Sequence, residues 1–203
     1  MRTLIMDNDW RRYPLTMLVL VVCVLIYALQ QLVGLSAVFN ALHFPQLFVE
    51  PESQQVWRWI TPIFLHFSVM HIGFNLLWWW ILGRQIEGRQ GSGFLLVLVL
   101  ITGIGSNFSQ YLVSGMEFGG LSGVVYALAG YVWLFGVWRP AEGLVLPSGI
   151  MVQLIIWLLL GFTGWLSALV GHMANAAHLS GLLLGLWAAL LMIAMMRLKY
   201  GKR

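Results

Sequence analysis

GLVLPSGIMVQLIIWLLLGFTGWLSALVGHMANAAHLSGLLLGLWAALLMIAMM, residues 143–196, runs for 54 residues without an Asp, Glu, Lys or Arg. A bilayer core takes about 20 apolar residues per helix. The stretch is therefore too long for one span and holds two, joined by a short turn near Gly164 to His172. Upstream, charged residues leave uncharged runs at 13–49, 59–83, 90–116 and 118–138, each long enough for one more span. The count is six, expected at 14–34, 68–86, 93–113, 120–138, 148–168 and 174–196. With 60% hydrophobic residues, 9% charged residues and a mean hydropathy of +0.85, the composition lies outside that of ordinary soluble domains. The expected fold is an all-α membrane protein, one bundle of six transmembrane helices, with no internal repeat and no low-complexity segment.

Six spans put both termini on one side, and that side collects Arg2, Arg11, Arg12, Arg84, Arg89, Arg139, Arg197, Lys199, Lys202 and Arg203. Only Arg58 falls on the other. The positive-inside rule then places both termini in the cytoplasm. The basic pI of about 9.6 is thus a topology signal, and no interleaving of basic and aromatic residues points to nucleic acid. The chain divides into a short cytoplasmic segment 1–13, a transmembrane domain 14–198 and a basic cytoplasmic tail 199–203. Pro14 suits a first helical turn, and the first span, lacking a convincing cleavage site, reads as retained. Cys23, the single cysteine, excludes disulfides and cysteine metal clusters within the chain and reads as a small buried hydrophobe. The connection 35–67 is the longest. Its aromatics, in HFPQLF and VWRWITPIFLHF, favour a segment lying in the interface with Trp57 and Trp59 at headgroup depth. As a soluble loop it would leave them without a home.

In this topology the second, fourth and sixth spans run from the outer face inward. Ser122 stands in the first turn of the fourth, His71 and Asn75 near the start of the second, and His178 about one turn into the sixth. At 1.5 Å per residue all four lie roughly 3 to 10 Å below the outer boundary. Polar groups in a bilayer are costly and are by default functional candidates. Taken singly, Ser122 in GGLSG reads equally as a small-residue packing contact, and His178 as a satisfied interior histidine. Gly181 and Gly185 in HLSGLLLG form a small-xxx-small stripe, and Gly120, Gly123 and Gly130 mark the fourth span, so the two helices can approach closely. If the two are neighbours, a serine and a histidine meet across a tight interface, where they can reach the roughly 2.6 to 3.2 Å that a nucleophile and its base require. His71 and Asn75, spaced i, i+4, share a face and can both donate hydrogen bonds. With the unpaired N–H groups at the start of the fourth span they supply the parts of an oxyanion hole. All seven acids fall at ends or connections, which favours a Ser-His dyad over a triad and excludes an aspartate-based intramembrane protease. Tyr126, one turn below Ser122, either packs on the imidazole or is a core aromatic with a satisfied hydroxyl. No metal and no cofactor is expected: His66 and His71, five apart, face differently, and no HExxH occurs.

HFSVMHIGFN (66–75), GGLSGVVYAL (119–128) and MANAAHLSG (173–181) together resemble the rhomboid intramembrane serine proteases, most closely the bacterial GlpG type, and VWRW (56–59) resembles the Trp-Arg element of that family's first loop. The resemblance implies a serine endopeptidase of the bacterial inner membrane that cuts single-pass transmembrane substrates near the outer, periplasmic face. It implies Ser122 as nucleophile, His178 as general base and acid, and Tyr126 stacked beneath the imidazole. His71, Asn75 and the Ser122 N–H would form the oxyanion hole. By the same analogy Phe74 and Trp157 face each other at a lateral gate, Met173 lies in the loop capping the site, and Glu87 and Arg89 belong to a structural polar turn. Members of this type often carry a folded cytoplasmic domain before the first span; about a dozen residues precede Pro14 here, and catalysis is expected not to depend on such a domain. Substrates with helix-weakening residues near the outer boundary and a small residue before the cut should be preferred. A non-catalytic rhomboid-like binder usually lacks the serine or histidine, and a transporter would show repeated halves or intramembrane charges.

Overall fold

The computed structural model describes residues 10–49, 51–164 and 173–201; residues 1–9, 50, 165–172 and 202–203 are not described. The described residues form seven α-helices: α1 (Pro14–Val33), α2 (Leu35–Leu42), α3 (Val69–Gln90), α4 (Ser92–Ser114), α5 (Ser122–Trp138), α6 (Ile150–Phe162) and α7 (Asn175–Tyr200). Among the described residues the remainder is 3-10 turns and irregular connections, with no strand. Among the described residues three segments, Pro14–Val33, Ser92–Ser114 and Asn175–Lys199, are long and apolar enough to cross a bilayer, whereas α5 and α6 are shorter apolar helices of 17 and 13 residues.

A helix stands at each of the six expected places. α3 runs past the expected end because Glu87 to Gln90 continue the turn until Gly91, whose φ of +86° breaks it and starts α4 one residue later. α6 ends at Phe162, short of the expected 168; the final four residues of that span and most of the turn to His172 fall outside the described residues.

The connection 35–67 departs from the sequence reading most. It contains α2 and three 3-10 turns, and it is packed against α4. The buried Arg58 guanidinium donates to the carbonyls of Asn40 (2.8 Å) and His43 (3.5 Å), and the Thr61 hydroxyl donates to that of Leu42 (2.7 Å). Asn107 of α4 donates to Trp59 O at 2.9 Å, and the Trp59 ring stacks on Phe108. Trp57 stays exposed. Each of these bonds satisfies a backbone carbonyl that has no regular ladder to join, which an apolar setting requires.

α5 is the core of the bundle, buried at every residue from Gly123 to Val132, and α7 is its principal neighbour. At the opposite end from Ser122, the buried Glu87 carboxylate caps α1. It accepts from Leu15 N and Thr16 N (2.8 Å each) and from the Thr16 hydroxyl (2.6 Å), while Ser92 of α4 donates to it at 2.7 Å. Trp79 adds a bond to Thr16 O at 2.8 Å. One carboxylate therefore satisfies the orphan donors of α1 and joins three helices. Glu87→Gln replaces an acceptor oxygen with a donor facing other donors. It should cost about 2 to 4 kcal/mol and lower the thermal midpoint in detergent by roughly 5 to 15 °C. A midpoint within about 2 °C of the parent would show that the cap is dispensable.

Candidate active site

Ser122 is the first residue of α5, and His178 is one turn into α7. Ser122 Oγ lies 2.7 Å from His178 Nε2, a distance of hydrogen-bond contact. With Nε2 unprotonated, the hydroxyl donates and the imidazole accepts. His178 Nδ1 is then the protonated nitrogen, and it is buried without a hydrogen-bond partner among the described residues. What orients the ring is Tyr126, stacked on it at a centroid distance of 4.7 Å and an interplanar angle of 19°. The tyrosine hydroxyl donates to Leu154 O at 3.0 Å. Both readings of Tyr126 hold together: the ring packs on the imidazole and the hydroxyl is satisfied.

Backbone geometry brings His71 to the same place. Gly120 has φ of +121°, its N–H donates to Pro62 O at 2.9 Å, and a Cβ added there would meet His71 Nε2 at 2.6 Å. Only glycine allows both the backbone conformation and that approach. Phe67 N donates to His71 Nδ1 at 3.5 Å, the tautomer that leaves a proton on Nε2, and the His66 and Phe67 rings flank the imidazole. Asn75, one turn on and buried, donates to His71 O at 3.0 Å. Ser68 caps α3 by accepting from His71 N at 3.1 Å, fixing the start of the helix that carries both.

His71, Asn75, Ser122, Tyr126 and His178 line one cavity of about 430 Å³. Phe74 from α3, Trp157 from α6 and Met173 ahead of α7 also line it. Phe74 and Trp157 make no ring contact with each other among the described residues. The connection 165–172, through which Met173 joins α6, is outside those residues.

Gly181 and Gly185 each seat the α7 backbone on α5. A Cβ on Gly181 would meet the Gly123 carbonyl oxygen, and one on Gly185 that of Ala127. A Cβ on Gly123 would in turn lie 2.6 Å from Ser106 Oγ. The sequence reading passed over a polar stripe on α4. Buried Gln110 accepts from Ala177 N at 3.0 Å, holding the residue next to His178, and it donates to the Ser114 hydroxyl at 2.8 Å. Ser106, Asn107 and Gln110 sit inside an apolar span, and the i, i+4 spacing of Ser106 with Gln110 and the i, i+3 spacing of Asn107 with Gln110 were the available signal. Glu117 was also passed over: counted as a connection charge, it lines the cavity.

The Rhomboid domain family model matches residues 53–195, which contain every residue named around the cavity. Curated relatives named Rhomboid protease GlpG align over 176 residues, 87% of this chain, at 49% identity in Yersinia enterocolitica (serotype O:8, biotype 1B) and 48% in Yersinia pestis (strain Pestoides F) and Yersinia pseudotuberculosis (serotype O:3, strain YPIII). In each case the alignment spans 62% of the relative's own length. A match running from the first connection to the last helix, over a serine and histidine already in contact, leaves one assignment: the chain belongs to the rhomboid family.

Proposed function

We propose that this protein is an intramembrane serine endopeptidase, a catalytic domain over 14–198 of six transmembrane helices with both termini cytoplasmic, that cuts single-pass membrane proteins near the outer face of the bacterial inner membrane. The observation that carries the reading is the 2.7 Å contact between Ser122 Oγ and His178 Nε2 on the wall of a cavity. The basic residues that fall on one side in the expected topology support the orientation, and the protease name borne by the Yersinia relatives supports the activity.

In this reading His178 Nε2 takes the Ser122 proton as Oγ attacks the substrate carbonyl carbon. The carbonyl oxygen becomes an oxyanion, received by His71 Nε2–H, the Asn75 amide and the Ser122 N–H, a first-turn donor that a helix leaves unpaired. His178 then gives its proton to the departing amine, leaving an acyl-serine. Water, deprotonated by the same nitrogen, releases the second product and restores Ser122. The imidazole shuttles one proton in each half, and Tyr126 holds its plane in place of an acid. A substrate helix must unwind locally first, because its backbone is hydrogen-bonded and shielded. Phe74, Trp157 and Met173 stand where it would enter.

The test is purified protein given a fluorophosphonate probe and a single-pass substrate carrying helix-weakening residues near its outer boundary, beside a poly-leucine span. Labelling, with cleavage of the first substrate well ahead of the second, is expected. A protein that binds the helix yet neither labels nor cuts would be a binder, and the proposal would fall.

A further inference from the structure

Glu117 is the one formally charged side chain among the residues lining the cavity. It is exposed, and no hydrogen bond or ion pair engages its carboxylate among the described residues. The chain around it is held firmly. Phe118, the next residue, is buried against Phe44 with ring centroids 6.1 Å apart. A Cβ on Gly119 would meet Leu65 Cβ at 2.7 Å, and Gly120 N is bonded to Pro62 O. Glu117 is thus an exposed residue on the wall of the cavity, on a backbone anchored by its neighbours. Among the described residues no lysine or arginine forms an ion pair with it: Arg58, assigned to the same side, is buried and donates to Asn40 O, His43 O and Gln55. The nearby Glu52 differs, since it accepts from Gln46 N at 3.1 Å and faces His43.

We infer that Glu117 is a specificity residue that selects substrates carrying a lysine or arginine on the water-facing side of the cut, and disfavours an acidic residue there; this rests on the proteolytic reading above. Five residue steps separate Glu117 from Ser122, at most about 17 Å of chain. An extended substrate advances about 3.3 Å per residue, so a long cationic side chain within about five residues of the scissile bond can reach the carboxylate. Outer flanks of membrane helices are poor in lysine and arginine. A lone cation there is therefore a discriminating mark, read by one carboxylate on an anchored backbone at the rim of an apolar cavity.

Three single-pass substrates differing only in Lys, Gln or Glu at one position, scanned over the five residues on the outer side of the cut, are compared by kcat/KM with the wild type, Glu117→Gln and Glu117→Lys. Ratios are taken within each variant, so any change in active fraction cancels. In wild type at low salt, Lys should exceed Glu by about three- to tenfold at the best position. The difference should shrink near 1 M salt, where the Debye length is about 3 Å. Glu117→Gln should bring the three substrates within about twofold, and Glu117→Lys should reverse their order. Equal cleavage of all three by wild type, or an unchanged order in Glu117→Gln, overturns the inference and leaves the protease reading intact. Failure to cut any substrate, together with no fluorophosphonate labelling of Ser122, overturns the protease reading and this inference with it.

Discussion

Ser122→Ala should abolish both cleavage and fluorophosphonate labelling while leaving the fold almost unchanged. The variant loses one side-chain contact, the 2.7 Å approach to His178 Nε2, and a hydrogen bond of this kind contributes about 1 kcal/mol. The thermal midpoint should therefore move by only a few degrees. Activity should drop on the order of 10⁴-fold or more, because among the described residues no other hydroxyl is in contact with His178 Nε2 to form the acyl intermediate. His178→Ala should lose nearly as much, since Ser122 then has no proton acceptor in contact. The double variant should be no worse than either single one: residues acting as a unit are not additive. Cleavage retained in Ser122→Ala, measured on protein with an unaltered thermal midpoint, would remove the serine from the mechanism and end the dyad reading.

Much of this arrangement was legible in the sequence because a bilayer sharpens the signal. Uncharged runs mark helices directly, and Ser122, His71, Asn75 and His178 stand out at a common depth where polar groups are costly. The glycine pairs gave the close approach of α5 and α7 before any distance was known. What escaped depends on contacts between residues far apart in sequence. Periodicity could not show that Arg58 and Thr61 bind the carbonyls of Asn40 and Leu42, so a packed segment with its own short helix read as one long connection. Gln110 escaped because its partner, Ala177 N, is 67 residues away. Glu117 escaped because charges were used to divide the chain into spans, which hides any charge that belongs to the site.

Gly181→Ala should be the single-methyl change on α7 that costs the most activity. Its Cβ would fall on the Gly123 carbonyl oxygen, and a backbone atom inside a buried helix cannot rotate away as a side chain can. The two helices must separate or tilt, at an overpacking cost of about 1 to 3 kcal/mol. Gly123 adjoins Ser122, and Gly181 lies three residues past His178, so the displacement acts on the dyad itself. A shift of about 1 Å would carry the Ser122–His178 contact beyond hydrogen-bond range and reduce turnover about 100-fold. Gly185→Ala, seated on Ala127 O one turn deeper, should destabilise comparably but cost less activity, since the tilt it forces is smaller at the dyad. Gly93→Ala is the matched control, a helical glycine whose added Cβ meets nothing within 4 Å. Labelling rate and thermal midpoint, measured together, separate packing from chemistry. If Gly181→Ala labelled Ser122 at the wild-type rate, the dyad would not owe its geometry to this helix contact, and the glycine stripe would be left with packing alone to explain it.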